Sequence, residues 1–445
     1  MKVTAVKRIL TTGVLIILLV QIGNLKAQSI NVVDFGADPT GTKENSKITN
    51  MLIDSLSAAG GGEIIIPKGT YLLNDAILLK SNITFKGAGI DETTFFRDPK
   101  QGNWSATKAQ ALISTSPENL NTNITVSNLE IDAEYNKNEE KAKGGICLRN
   151  CQNSTISNIR TLHTWHGIAF YDFKGDDSNN LIKDSHAIKA QAFTSKNNSG
   201  RPRGILVTDN GSKVINSIST KAGTGFYAHG KNISFEKCKA ESWFTDNGYY
   251  LIVEHLTVKN CIAVGGPSSK EGFGSGFSIA YKKDGLIQDS EAINCSNYGF
   301  RIHVPQSDTK FVNNTAIGCG IGFGIETASH PFPELSDQIQ LINNTAETSG
   351  LTSFLFRQMS NSTVTGNKAI NGNQRGVTLS TRGAFALKDY LTNNTFSENE
   401  SIDNQKNKTQ IFGFYDYSVD QIKSSSKKGK NNKISHKSKN GKDVF

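Results

Sequence analysis

From Gly145 onward, a glycine followed by alternating apolar residues keeps returning along the chain. It opens GICLR at 145, GIAFY at 167, GILVT at 204, GFYAH at 225 and GYYLI at 248. It continues with GFSIA at 276, GFRIH at 299, GFGIE at 322, a glycine-free TSFLF at 352 and GVTLS at 376. The spacing runs from 21 to 37 residues and clusters near 23. A unit this short cannot bury its own apolar face, so successive units must stack on one another. Each unit also carries a second short strand, as in FEKCKA at 235, VKNCIA at 258, IQDSEA at 287, FVNNTA at 311, LINNTA at 341 and VTGNKA at 364. Aligned on these, Cys238, Cys261, Ser290, Asn314, Asn344 and Asn367 share one slot, which predicts an interior stack with amide side chains bonding from unit to unit.

Leucine-rich repeats have a similar period but place Leu at fixed positions and add a helix or 3-10 turn in many units. Here the recurring residues are Val, Ile, Phe, Asn and Gly, with no helical periodicity. The expected fold is therefore all-β, a right-handed parallel β-helix of about ten or more coils. A solenoid exposes core and strand edges at its ends, so the first coil needs a cap. The stretch from about 44 to 59 supplies one, with Ile48, Leu52, Ile53 and Leu56 on one helical face.

VVDFGADPTGT followed by GGGEIIIPKGTYLL resembles the N-terminal signature of the pectin-lyase-like superfamily. This is the pectate-lyase type of parallel β-helix, found in secreted bacterial glycan-degrading systems. The resemblance implies the fold, with an N-terminal capping helix, and contact with glycans. It leaves the reaction open, since that superfamily holds lyases, hydrolases, epimerases and non-catalytic adhesins.

Residues 1–27 read as a signal peptide: Lys2, Lys7 and Arg8, an apolar run from Ile9 to Val20, and a small residue at Ala27. A periplasmic or secreted protein without a membrane span is expected. Residues 28–418 then form one β-helix domain, and 419–445 a basic, flexible tail. That tail has eight Lys against two Asp, or six of the chain's nine net positive charges. Export and the near-neutral remainder argue against a nucleic-acid partner; an acidic polysaccharide or oligosaccharide is the expected one. Six Cys are too few for a disulfide scaffold in a chain this long, although Cys295 and Cys319 fall on equivalent corners of neighbouring coils.

Taking the bulky residue after each glycine as inward makes Tyr171, Tyr227, His229, Tyr250, Arg301, His303 and Glu326 outward neighbours on stacked strands. Such a strip suits a saccharide groove, with aromatic rings for sugar faces and guanidinium for an acid group. His163, Trp165, His166, Arg201, Arg203, Trp243, Asp246, Lys270 and Glu271, just before the glycines, are candidates for its rim. Inverting hydrolysis needs two carboxyl groups about 6.5–9.5 Å apart, yet the strip offers Glu326 alone and no Gly-His-Gly turn occurs. The DPHE motif of mannuronan C5-epimerases is also absent. No cofactor is firmly indicated, although calcium is possible: Asp172, Asp176, Asp177 and Asp184 could assemble a site, with solvated loop acids the plainer reading. No zinc spacing is present.

The pattern left is a carbon–oxygen lyase acting by β-elimination on a uronate. Arg301 would hold the carboxylate, His229 or His303 would take the C5 proton, and Tyr250 or Tyr227 would protonate the oxygen leaving C4. Tyr171, Arg203, His166 and Glu326 would bind the substrate. Loss of a sugar makes this a polysaccharide lyase, loss of water a dehydratase, and reprotonation an epimerase. The rival from another class is a non-catalytic glycan-binding solenoid. Loops such as TSKNNSGRPR and ASHPFPELSD would wall off the groove ends and favour short substrates.

Overall fold

A computed structural model describes residues 28–97, 111–134, 144–173, 175–190, 202–265, 274–280, 283–326, 335–376, 383–416, 432–439 and 442–444. Residues 1–27, expected to be a signal peptide, Arg201, Lys270, Glu271 and most of the two loops expected to wall the groove ends lie outside them. Among the described residues, one 15-stranded sheet runs from Ile77–Leu79 to Lys442–Val444, and a 26-stranded sheet takes two short strands from most coils. Strands pair in parallel with their equivalents in the next coil, as Phe277 with Phe300 and Phe300 with Phe323. The chain is thus a parallel β-helix. Among the described residues, no helix is long and apolar enough to cross a membrane.

The cap is helix α1, Ser46–Ala58, which buries Leu52, Ile53 and Leu56 while Ile48 is partly buried against the same core. The DPTGT turn before it is organised by Asp38. Its carboxylate accepts from the amides of Thr40, Thr42 and Lys43 and from both threonine hydroxyls. Those bonds, led by the Thr40 hydroxyl, hold the Asp38 carboxyl well below the usual range. Fully buried Asn45 ties the turn to the first coil through the carbonyls of Asp38, Lys43 and Leu72.

Inside, the first inward residue of each leading strand from Phe226 on forms a continuous aromatic stack; it follows a glycine in most coils and Ser353 or Ala384 in two. Phe226, Tyr249, Phe277, Phe300, Phe323, Phe354 and Phe385 follow with ring centroids 4.5–5.0 Å apart and interplanar angles below 10°. Opposite runs the expected polar slot. The Asn314 amide donates to Oδ1 of Asn344, and that of Asn344 to Oδ1 of Asn367, which in turn donates to Asn399. The side-chain amides repeat the pattern at 3.0 Å, so a buried polar column satisfies itself. Before each slot the chain turns through a left-handed residue (Asn313, Asn343 and Gly366 at φ 55°, 54° and 67°), where Asn and Gly are least strained.

The glycine corner is set by close approach. A Cβ on Gly299 would stand 2.7 Å from the Gly322 carbonyl and 2.8 Å from Ala316 Cβ, so glycine faces alanine across a narrow edge. All six cysteines are buried free thiols, Cys295 and Cys319 included.

Two expectations change at the C-terminal end. The strand paired with Phe354–Ser360 is Gly383–Thr392, and Phe412–Asp416 leads one more coil; of GVTLS, expected to lead a coil, only Gly376 is among the described residues, and it sits in a turn. Lys433–Ser438 and Lys442–Val444, placed in the flexible tail, instead pair with Thr395–Ile402 and Phe412–Asp416. Asn432 explains this. Its Oδ1 accepts from the backbone and side chain of Asn394, so the amide ladder anchors the segment despite its many lysines.

Candidate functional site

In the 15-stranded sheet, Ile168 and Phe170, Phe226 and Ala228, and Phe300 and Ile302 point into the main core. Their alternates face out and fall into two columns. One runs in register through Cys147, Ala169, Leu206, Tyr227, Tyr250, Ser278, Arg301 and Gly324. The other, two residues further along each strand, includes Arg149 beside Tyr171, His229 beside Ile252, and then His303 and Glu326. Outward does not mean exposed: Cys147, Ala169 and Leu206 are buried in a separate small cluster under Tyr171 and Tyr227. Burial pushes the Cys147 thiol up to about 12, which keeps it protonated and inert.

Small side chains decide what meets in the middle of the strip. The coil between Tyr250 and His303 presents only Ser278 and Ala280. His303 lies back across that gap and stacks on Tyr250, ring centroids 5.7 Å apart at 26°. Its Nδ1 is 3.0 Å from the Ser278 hydroxyl. Tyr227 meets Tyr250 edge-on at 5.7 Å, and the Arg203 guanidinium covers the Tyr227 ring at 3.7 Å. One run therefore links Arg203, Tyr227, Tyr250, His303 and Ser278.

The residues just before the glycines add a third column. His166 pairs with Arg203, and Tyr298 with Ile321; because the chain bends at the glycine, Arg203 and Tyr298 face the same way as the outward column. The Arg203 backbone amide donates to His166 Nδ1 at 3.3 Å, which leaves the proton of the neutral ring on Nε2. Burial, with the Arg203 charge adding to it, holds the His166 imidazole down at about 3, so it is a donor and not a base. His303 is also lowered, to about 4, first by burial and then by Arg301. Tyr298 lies against Gly324, where only glycine leaves room, and its hydroxyl donates to Glu326. Glu326 also faces Arg301 at 3.5 Å and Arg357 at 3.4 Å, while Arg301 lies over the Tyr298 ring.

The predicted site residues divide accordingly. Tyr227, Tyr250, His303 and Arg203 come together. Arg301 and Glu326 form a second group on the C-terminal side, so Arg301 already has a carboxylate before it. His229 stands exposed on the next column, and Tyr171 lies nearer the N-terminal end with Arg149 at 5.7 Å. Trp243, read as rim, is buried and packs beneath Gly248, because the turn folds inward there. Asp246 is likewise buried and accepts from Asn247. His163 turns away to Asp132 at 3.0 Å. Three of the acids considered for calcium have protein partners: Asp172 holds Arg149, Asp177 caps its own loop at Asn179, and Asp184 accepts from Asn216; among the described residues no three His, Cys, Asp or Glu side chains cluster as a metal site. Tyr298 and Arg357 were missed. Tyr298 directly precedes its glycine, as His166 and Arg203 do, which was a usable signal; Arg357 follows a glycine-free unit and gave none.

Comparison with known proteins agrees with this architecture. Residues 29–265 match the family model described as rhamnogalacturonase A/epimerase, pectate lyase-like, and residues 203–338 match the right-handed β-helix region. Alginate lyase 7 of Azotobacter vinelandii is 28% identical over 121 residues, 26% of this chain and 14% of that protein. Mannuronan C5-epimerase AlgE4 of the same organism is 27% identical over 121 residues, 26% of this chain and 21% of that protein. The matches thus cover small parts of those relatives. The solved AlgE4 A-module shares the fold at a TM-score of 0.54 and 14% identity, covering 94% of this chain and all of that one. The tailspike protein of E. coli bacteriophage HK620, solved with a pentasaccharide, superposes at 0.64 and 13% identity over 84% of this chain and 72% of its own.

Proposed function

The chain belongs to the rhamnogalacturonase A/epimerase, pectate lyase-like family, and from that premise we propose that it is a carbon–oxygen lyase acting by β-elimination on uronate residues of an acidic poly- or oligosaccharide. The observation that carries this reading is His303, held neutral and laid over Tyr250 just past the end of the strand Tyr298–Ile302 that bears Arg301.

In the proposed reaction the uronate carboxylate sits at Arg301, which stabilises the enolate formed when the C5 proton leaves. His303 takes that proton at Nε2, while Ser278 accepts a hydrogen bond from Nδ1 and so holds the tautomer. A bound carboxylate offsets the Arg301 charge, one of the two causes that depress His303, and so makes the imidazole a better base as substrate arrives. The C4–C5 double bond forms as the C4–O bond breaks, and the hydroxyl of Tyr250, or of Tyr227 beside it, gives a proton to the departing oxygen. Arg203, His166 and Tyr171 extend the groove towards the N-terminal coils.

Because two relatives are named for alginate and mannuronan, alginate is the first polymer to try, with pectate, ulvan and glycosaminoglycans as the alternatives. Such polymers would be met in the periplasm or outside the cell. The test is ultraviolet absorbance of the new C4–C5 double bond, with mass spectrometry of the oligomers. Chain shortening means lyase, and loss of water means dehydratase. Unchanged mass with deuterium uptake at C5 means epimerase, which shares the first proton transfer. Flat absorbance with unchanged masses and no exchange would leave a glycan-binding solenoid.

A further inference from the structure

The second short strand of each coil lies in the 26-stranded sheet, away from the strip that bears the proposed chemistry. Its middle residue is a buried alanine in every coil from Ala263 to Ala369, so the residues on either side of it point outward. The later of the two forms a column in register through Val264, Ile293, Ile317, Glu347, Ile370 and Ile402. Each keeps part of its surface in solvent. Branched aliphatic side chains thus make an apolar stripe along the solenoid, interrupted once, at Glu347. The earlier outward residue forms a polar column beside it, through Glu291, Thr315, Thr345 and Lys368. Glu291 and Lys368, at its two ends, are exposed.

We infer that this face joins two copies of the chain, packed antiparallel about a two-fold axis that passes between the Thr315 and Thr345 coils. The order of residues along the face carries the inference. Such an axis lays Ile293 on Ile370 of the second copy and Val264 on Ile402, so that apolar meets apolar, and it sets Glu291 opposite Lys368. Two-fold symmetry makes each of these contacts twice. At the centre Thr315 faces Thr345, and Glu347 falls opposite the strand Thr315–Ile317, whose threonine hydroxyl gives the carboxylate a donor. Neighbouring registers are worse. An axis through the Thr315 coil would press Ile293 on Glu347 and Ile262 on Lys368. One through the Thr345 coil would set Glu347 against itself and Glu291 against Glu400. A face about 30 Å long, at about 4.8 Å per coil, and about 20 Å across would bury about 600 Å² on each copy, the low end for a specific interface. Association in the micromolar range follows from that size. The strip with Tyr250 and His303 belongs to the 15-stranded sheet and stays open to glycan in such a dimer.

The test is sedimentation equilibrium of the full-length protein from about 1 to about 100 μM, where a reversible monomer–dimer equilibrium is expected. Glu291→Lys and Lys368→Glu should each weaken it about ten- to a hundredfold, because each sets like charges face to face at two places. An equimolar mixture of the two variants should recover wild-type association, since every substituted charge then meets its opposite across the axis. A folding defect in either variant could not be recovered by mixing, so the mixture isolates the interface. Ile293→Asp should abolish the dimer in every combination. A wild type that stays monomeric or forms larger species overturns the inference. So do single variants that associate as wild type does, or a mixture no tighter than its components.

Discussion

The neutral state of His303 is the most exposed part of the proposed mechanism, and it can be measured without any substrate. The imidazole is lowered from 6.5 to about 4, with burial the larger cause and Arg301 the smaller. That depression corresponds to about 3 kcal/mol in favour of the neutral ring. Replacing Arg301 by Gln removes the smaller share only, so the midpoint should rise by at most about one pH unit and stay below the ordinary value near 6.5. The assay is an NMR titration of the histidine ring protons in wild type, Arg301→Gln and, for assignment, His303→Gln. Stability must follow the same titration. Between about 4 and 6.5 the unfolded chain binds a proton at this site and the folded chain does not. Stability therefore rises with pH across that window and is lost as pH falls through it, and His303→Gln should flatten this slope. A wild-type midpoint at or above 6.5, or one that does not rise in Arg301→Gln, would refute the reasoning that the buried gap over Ser278 keeps this imidazole neutral.

The remaining expectations concern catalysis and the solenoid itself. His303→Ala should lower kcat/KM about 10²–10⁴-fold on whichever uronate glycan is turned over, whereas exposed His229→Ala should cost far less; steady-state kinetics of both variants decides between the two imidazoles. Asn344→Ala removes the bonds to the Phe311 carbonyl and Asn367 and strands the Asn314 amides. With several buried groups left unpaired, urea denaturation should show a loss of about 2–5 kcal/mol, and a change within the noise would discount the ladder. Deleting residues 432–445 strips the strands paired with Thr395–Ile402 and Phe412–Asp416. Faster proteolysis from the C-terminal end is expected, and unchanged resistance would show that this segment closes nothing.

Much of the fold was legible because a parallel coil repeats its environments. Most of the repeat's glycines face an alanine at a narrow corner, the first inward Phe or Tyr of each leading strand from Phe226 on joins one stack, and each ladder residue meets the same slot one coil later. The spacing of Ile48, Leu52, Ile53 and Leu56 announced the cap for the same reason. The leading strands near the C-terminal end were harder. GVTLS opens like a coil, but its Gly376 sits in a turn, and the strands Gly383–Thr392 and Phe412–Asp416 lead there, the first with Ala384 in the corner slot usually held by glycine.

The order of outward residues along each column, and so the presence of tyrosine, histidine and arginine on one wall, was a property of the sequence alone. Period-two alternation and the glycine spacing leave the side chains no other face. Which of those residues touch was decided by the tertiary structure. His303 reaches Tyr250 because the coil between them is trimmed to Ser278 and Ala280, Arg203 and Tyr298 join the wall because the chain bends at a glycine, and Arg357 meets Glu326 across turns of irregular length. Contacts between coils depend on side-chain reach over the residues in between, and distance along the chain does not encode that reach.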